Sequence, residues 1–219
     1  MKPIRVSKMK HKSYSNCKKT EISKIKAEIR LITTLFSEII TLIPEFDILN
    51  DKILPYGLKE HTRSISWLVE QVITQQAKWN KDKINNLTIN EIEIGMPDTC
   101  LHDCVIKIKD KSYYVNIKIH KSDAKGNKND IAAVEKLYMQ YVSNNDYRLL
   151  YACFGFTFNN YTIKFDEDKI NVFSPQFAPI YINPRNDKIQ AYYYHQPEFR
   201  SRKEFLQLLK TNSKSIVLK

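Results

Sequence analysis

From His102 to Lys121 the chain reads HDCVIKIKDKSYYVNIKIHK. Apolar and polar residues alternate on both sides of Lys109-Asp110-Lys111, a pattern that fits a β-hairpin and little else. On the second run Val115, Ile117 and Ile119 share one face, leaving Tyr114, Asn116, Lys118 and His120 on the other. If Asp110 and Lys111 are the two central turn residues, Asp103 lies opposite Lys118 and Asn116 is its diagonal neighbour. One carboxylate, one amide oxygen and one ammonium then meet on a single face. A carboxylate is the ligand Mg²⁺ prefers and an amide oxygen is a weaker one. A lysine beside them can orient a metal-bound water or help to deprotonate it, which is the equipment for phosphodiester hydrolysis. Glu70, on a helical run before the hairpin, adds a second carboxylate. The plainer alternative is an exposed Asp103–Lys118 ion pair worth at most about 1 kcal/mol.

Charge separates the function classes. Lysine and arginine number 35 against 24 acidic residues, a formal net charge of +11 in 219 residues. Such an excess suits a polyanionic partner, nucleic acid first, better than an acidic substrate. No apolar run reaches the roughly 18 residues of a membrane span, and MKPIRVSKMKHK lacks the apolar segment of a signal peptide, so the expected location is the cytoplasm. Cys17, Cys100, Cys104 and Cys153 are too few and too irregularly spaced for a disulfide framework. A zinc site from Cys100, His102, Cys104 and His120 would lack the chelating loop of a structural site.

Along the chain, residues 1–20 carry seven Lys or Arg and no acid and read as a basic arm; residues 21–219 read as one domain. Ile22, Ile25, Ile29, Ile32, Phe36, Ile39 and Ile43 alternate spacings of three and four, predicting a long helix over 21–43 that ends before Pro44. Its stripe packs either on the chain's own sheet or on a second copy. SISWLVEQVITQQAKW (64–79) has helical spacing, and Glu70 borders its apolar face. Strands are expected at EIEIGMPD, LLYACFGFTF, NYTIKFD, IYIN and IQAYYYH. Helices are expected from about Asp130, as cap, to Val142, and after the capping-box pattern Ser201–Glu204. The sum is an α/β or α+β domain with a mixed central sheet flanked by helices. Two polar clusters are candidate DNA contacts. Lys121, Lys125, Asn127, Lys128 and Asn129 follow the hairpin; Asn183, Arg185, Asn186, Lys188 and Gln190 lie further on, with amides suited to adenine edges.

Asp103, twelve intervening residues, then a polar residue, one apolar residue and Lys118 resembles the PD-(D/E)xK nuclease core, and the preceding glutamate-bearing helix fits it. The spacing is similar to that of the blunt-cutting type II restriction endonucleases of the EcoRV and HincII branch. IYINPRNDKIQAYYYHQPEFRSRKEFLQLL resembles the distal strand and terminal helix of that branch, so the likeness covers roughly residues 65–210. It implies that Asp103 binds Mg²⁺, that Lys118 manages the attacking water, that the Ile117 carbonyl completes the metal shell and that Glu70 acts at longer range. It further implies a homodimer, a palindromic double-stranded DNA site and a cognate DNA methyltransferase in the same system. Asn116 departs from the pattern, because the branch usually has Asp or Glu there. That departure keeps open a non-catalytic DNA-binding protein on a degenerate nuclease fold. A structure-selective DNA resolvase with the same core is a further alternative.

Overall fold

The computed structural model describes residues 7–48, 52, 62–97, 99–123, 128–159, 161–183 and 185–213, without the side chains of 7–16, 62–64 and 128–129. Among the described residues four α-helices, α1 (Ser7–Leu42), α2 (Thr62–Trp79), α3 (Val134–Ser143) and α4 (Arg202–Asn212), and one short 3-10 turn (Lys81–Lys83) accompany nine strands: β1 (Glu45–Asp47), β2 (Glu91–Ile94), β3 (Cys104–Ile108), β4 (Lys111–Lys121), β5 (Lys128–Ala133), β6 (Leu149–Asn159), β7 (Thr162–Phe173), β8 (Ile180–Asn183) and β9 (Lys188–Tyr192). A six-stranded sheet runs β1-β7-β6-β4-β3-β2, and a three-stranded sheet runs β5-β9-β8. The pair β4–β6 is parallel and every other pair is antiparallel. A parallel pair needs a crossover, which β5 and α3 supply. Leu149 to Phe156 of β6 are buried without interruption, as expected of a central strand covered on both faces.

The two faces of the large sheet carry separate cores. One gathers Ile32, Leu35, Phe36, Ile39 and Ile40 of α1, Ile65, Val69 and Ile73 of α2, and Val115 and Ile117 of β4. The other gathers Leu137 and Tyr141 of α3, Phe205 and Leu209 of α4, and Tyr151 and Cys153 of β6. The α1 stripe is therefore consumed within the chain: Ile25, Ile32, Phe36 and Ile39 have no exposed surface, so this seam is not free to pair with a second copy. α1 also starts earlier than its stripe suggests, because Ser7 to Thr20 of the expected arm are already helical. Its polar side is tied to the far end of the chain. Lys18 Nζ lies 2.8 Å from Glu204, 186 residues on, and Glu21 accepts from the Arg202 N–H at 2.9 Å and from Gln176 at 2.9 Å.

The stretch expected as a helix from about Asp130 opens as a strand, and the short β1 lies where no strand was expected. Residues 128–133 form a strand, and α3 begins at Val134 after Ala133. Asp130 caps no helix; its Oδ1 accepts from Gln190 Nε2 across the β5–β9 pair at 2.8 Å. At α4 the Ser201–Glu204 capping box is present in both directions. Gly155 marks a close approach, since a Cβ there would sit 2.6 Å from Lys169 Cβ, at the point where the β6–β7 register shifts. Among the described residues no helix is long and apolar enough to cross a membrane.

Candidate active site

The hairpin that organises the site turns one residue earlier than expected. The last pair is Ile108–Lys111, so Lys109 and Asp110 are the central residues, with Lys109 at φ 55° and its N–H held by Asn90 Oδ1 at 2.8 Å. Cys104 pairs with Val115, which sets Asp103 opposite Asn116 and diagonal to Lys118, the reverse of the expected arrangement. The partner moves by two residues, so every side chain keeps its face. β3 ends here while β4 continues along β6 to Lys121.

Asp103 occupies the gap. Its N–H donates to the Val115 carbonyl at 2.9 Å, and its Oδ2 accepts from the Ile117 N–H at 2.6 Å. A strand residue points its N–H and carbonyl to the same side, so the Ile117 carbonyl is aimed toward the side Asp103 fills. Burial raises the Asp103 carboxyl above its ordinary range, against the pull of Lys118, the Ile117 N–H and His102. Asn116 is only 9% exposed, which removes the solvated-face alternative at this position. Its Nδ2 donates to the Leu101 carbonyl at 3.1 Å, which fixes the amide orientation, while Oδ1 is buried without a hydrogen-bond partner. Glu70, from α2, places Oε1 3.9 Å from Lys118 Nζ. Burial pushes its carboxyl up to about 7; Lys118 opposes the shift and Asp103 adds to it. Two partly desolvated carboxylates, one ammonium and one orphaned amide oxygen thus form a site short of positive charge.

The rim is aromatic. The His102 ring meets Tyr114 edge-on at 5.0 Å, and burial lowers its pKa. Tyr194 Oη lies 2.9 Å from His120 Nε2, and burial, aided by Lys169, lowers the His120 pKa against Asp166. Lys169 donates to the Ser122 carbonyl at 2.6 Å, placing a cation just past the end of β4. The only sequence signal for it was Gly155 inside an apolar strand. Among the described residues no three His, Cys, Asp or Glu side chains gather as a metal site, so the Cys100, His102, Cys104 and His120 set does not assemble.

The candidate DNA contacts differ in what the fold does with them. Lys125 and Asn127 lie outside the described residues; Lys128 and Asn129 sit in β5 opposite Tyr192 and Ala191, and Lys121 ends β4. Asn183 and Asn186 use their Oδ1 atoms to accept the Arg185 and Lys188 N–H groups at 3.0 and 3.2 Å, closing the β8–β9 turn. Gln190 is engaged by Asp130, whereas Arg185 and Lys188 are exposed.

No family model and no curated protein matches the chain. Among solved structures it is similar to NlaIV restriction endonuclease, with a TM-score of 0.52 and 12% identity over 72% of this chain and 69% of that one. At that identity the likeness is one of fold. The mixed sheet with helices on both faces is a restriction-endonuclease-like fold.

Proposed function

We propose that the protein is a Mg²⁺-dependent endonuclease that hydrolyses phosphodiester bonds in double-stranded DNA as a homodimer, at a palindromic site and to blunt ends. The observation that carries the reading is the orphaned Asn116 Oδ1 beside the half-engaged Asp103 carboxylate. A buried oxygen without a donor costs about 1–3 kcal/mol, and a divalent cation removes that cost. Asp103 Oδ1, Asn116 Oδ1 and the Ile117 carbonyl are the atoms that would hold the ion. When bound, Mg²⁺ supplies positive charge to the scissile phosphate and acidifies water.

The chain's own groups supply the rest. Lys118 donates to the attacking water or to a non-bridging phosphate oxygen, holding both in line. Glu70, with a pKa near neutrality and within reach of Lys118, accepts the proton released as water attacks. Two-fold symmetry of a dimer is the physical reason for expecting a palindromic target. The NlaIV structure, named for a restriction endonuclease, supports nuclease chemistry on this fold.

A second reading, a DNA-binding protein whose nuclease site has lost its acid at Asn116, is favoured by one observation: the Asn116 amide is tied to the Leu101 carbonyl as a structural group. Incubation of purified protein with plasmid and Mg²⁺ decides. Discrete double-strand fragments support the enzyme. Binding without cutting at every Mg²⁺ concentration overturns it in favour of the second reading, and cutting confined to branched DNA replaces it with a resolvase.

A further inference from the structure

The buried face of α2 is Ile65, Val69, Ile73 and Ala77; its outer face carries Trp67 and Trp79, 65% and 78% exposed, the only two tryptophans of the chain. Exposing both is costly in water, since an indole is the largest apolar side chain and ordinarily finds cover. Between them Gln71 is half-buried and Gln75 exposed, so the row reads Trp67, Gln71, Gln75, Trp79 in steps of four. This is one i±4n ridge, about 18 Å long, of the kind that interdigitates in the commonest class of helix pair.

The ridge is a palindrome about Ile73. Laid against an antiparallel copy of itself, Trp67 meets Trp79 of the second copy and Gln71 meets Gln75. Amides are complementary to one another because each donates and accepts, and no acidic residue occupies the ridge to repel its own image. A single-stranded nucleic acid stacking on these rings would want flanking cations, and Lys78 is the one exposed cation among the described side chains of the helix. The exposed parts of the four indoles amount to on the order of 700 Å², about half of a standard interface of roughly 1,600 Å². The glutamines and the flanks of α2 would supply much of the remainder.

We infer that the outer ridge of α2 is the surface on which a second copy of this chain docks, by antiparallel two-fold pairing of α2 with α2. This specifies the homodimer of the proposed function and in that respect rests on it. Glu70 lies three residues after Trp67, so the helix braced by the partner also carries the second carboxylate of the site.

The test needs no DNA and therefore fails separately from the nuclease reading. Full-length protein is followed by sedimentation equilibrium and by intrinsic fluorescence across a dilution series. The expected result is a dimer whose indole emission shifts red as it dissociates. Trp67→Ala with Trp79→Ala should weaken the dimer on the order of a hundredfold with an unchanged circular dichroism spectrum. Gln71→Glu with Gln75→Glu sets like charges opposite each other and should weaken it about tenfold; Gln71→Glu with Gln75→Lys sets opposite charges together and should not. A wild-type monomer at about 100 μM, far above useful dimer affinities, overturns the inference. So does a dimer indifferent to these changes, or equal weakening by both glutamine pairs. If the double alanine variant misfolds, the glutamine pairs still decide.

Discussion

Asn116 concentrates the chemistry at the scale of single residues. On the proposed function its orphaned oxygen would be a ligand without the charge, so wild-type cleavage is expected to need millimolar-scale Mg²⁺, and Asn116→Asp should lower the concentration for half-maximal cleavage. A Mg²⁺ titration of both proteins checks this, and identical curves would separate the residue from the metal. Lys118→Ala should abolish cutting while leaving specific DNA binding within about threefold, measured by gel shift in Ca²⁺, because the role proposed for Lys118 is handling of the attacking water and not contact with a base. Glu70 has a signature independent of activity. Its carboxyl titrates near 4.5 in the unfolded chain and at about 7 in the fold. The raised value means that stability is fullest below 4.5 and declines as pH rises to about 7, by on the order of 3 kcal/mol. In chelator, Glu70→Gln should therefore match wild type at pH 4, below the unfolded value, and melt later at pH 8. A lower melting point at pH 8 would contradict it. That Asp103, Asn116 and Lys118 share a face was readable from the alternation alone, since a hairpin slip of two residues preserves faces. The actual partner of Asp103 was not, because Lys109-Asp110 and Asp110-Lys111 are equally good turns on paper. Nor could spacing reveal that Leu101 claims one end of the Asn116 amide, or that Asn183 and Asn186 spend their oxygens on a turn.

At the scale of elements, α1 and α2 both present helical periodicity, yet burial divides their residues differently. Ile32 is fully buried in the sheet core, so Ile32→Ala should cost about 2–5 kcal/mol in urea unfolding. Ile32→Glu should prevent folding altogether, where a dimer seam would have left a folded monomer. The heptad pattern could not make this distinction, since a strict 3-4 repeat suits a sheet face as well as a coiled coil. Ser201→Ala removes the oxygen that accepts the Glu204 N–H and should cost about 1 kcal/mol. Local chemistry of this sort was legible in full. β5 was not, because the pairing that makes 128–133 extended lies with β9, about 60 residues away, and an Asp before an apolar run also looks like a cap. The apolar run LLYACFGFTF announced β6 as a strand, whereas its cover on both faces shows only in the fold.

For the molecule as a whole, the +11 charge sets an expectation that holds whatever the recognition bases are. DNA affinity should fall steeply with salt, by on the order of a thousandfold between 50 and 200 mM for about six phosphate contacts. A flat salt response would place binding energy elsewhere. The mixed α+β architecture followed from the order of runs, whereas the separation into two cores did not, because it depends on which sheet face each helix covers. The tie between α1 and α4 has a consequence for how the protein is made. α1 is synthesised long before its apolar partners on β6 and β7, and its Lys18 and Glu21 meet Glu204 and Arg202 only once those residues, 186 and 181 positions on, have been made. Until α2 and the strands follow it, its stripe lacks its native cover, an exposed apolar surface of the kind that favours misassociation during folding. The sheet that carries Asp103 and Lys118 therefore gains the cover of α1 only after β6 and β7 have joined it, although α1 precedes every strand in chain order.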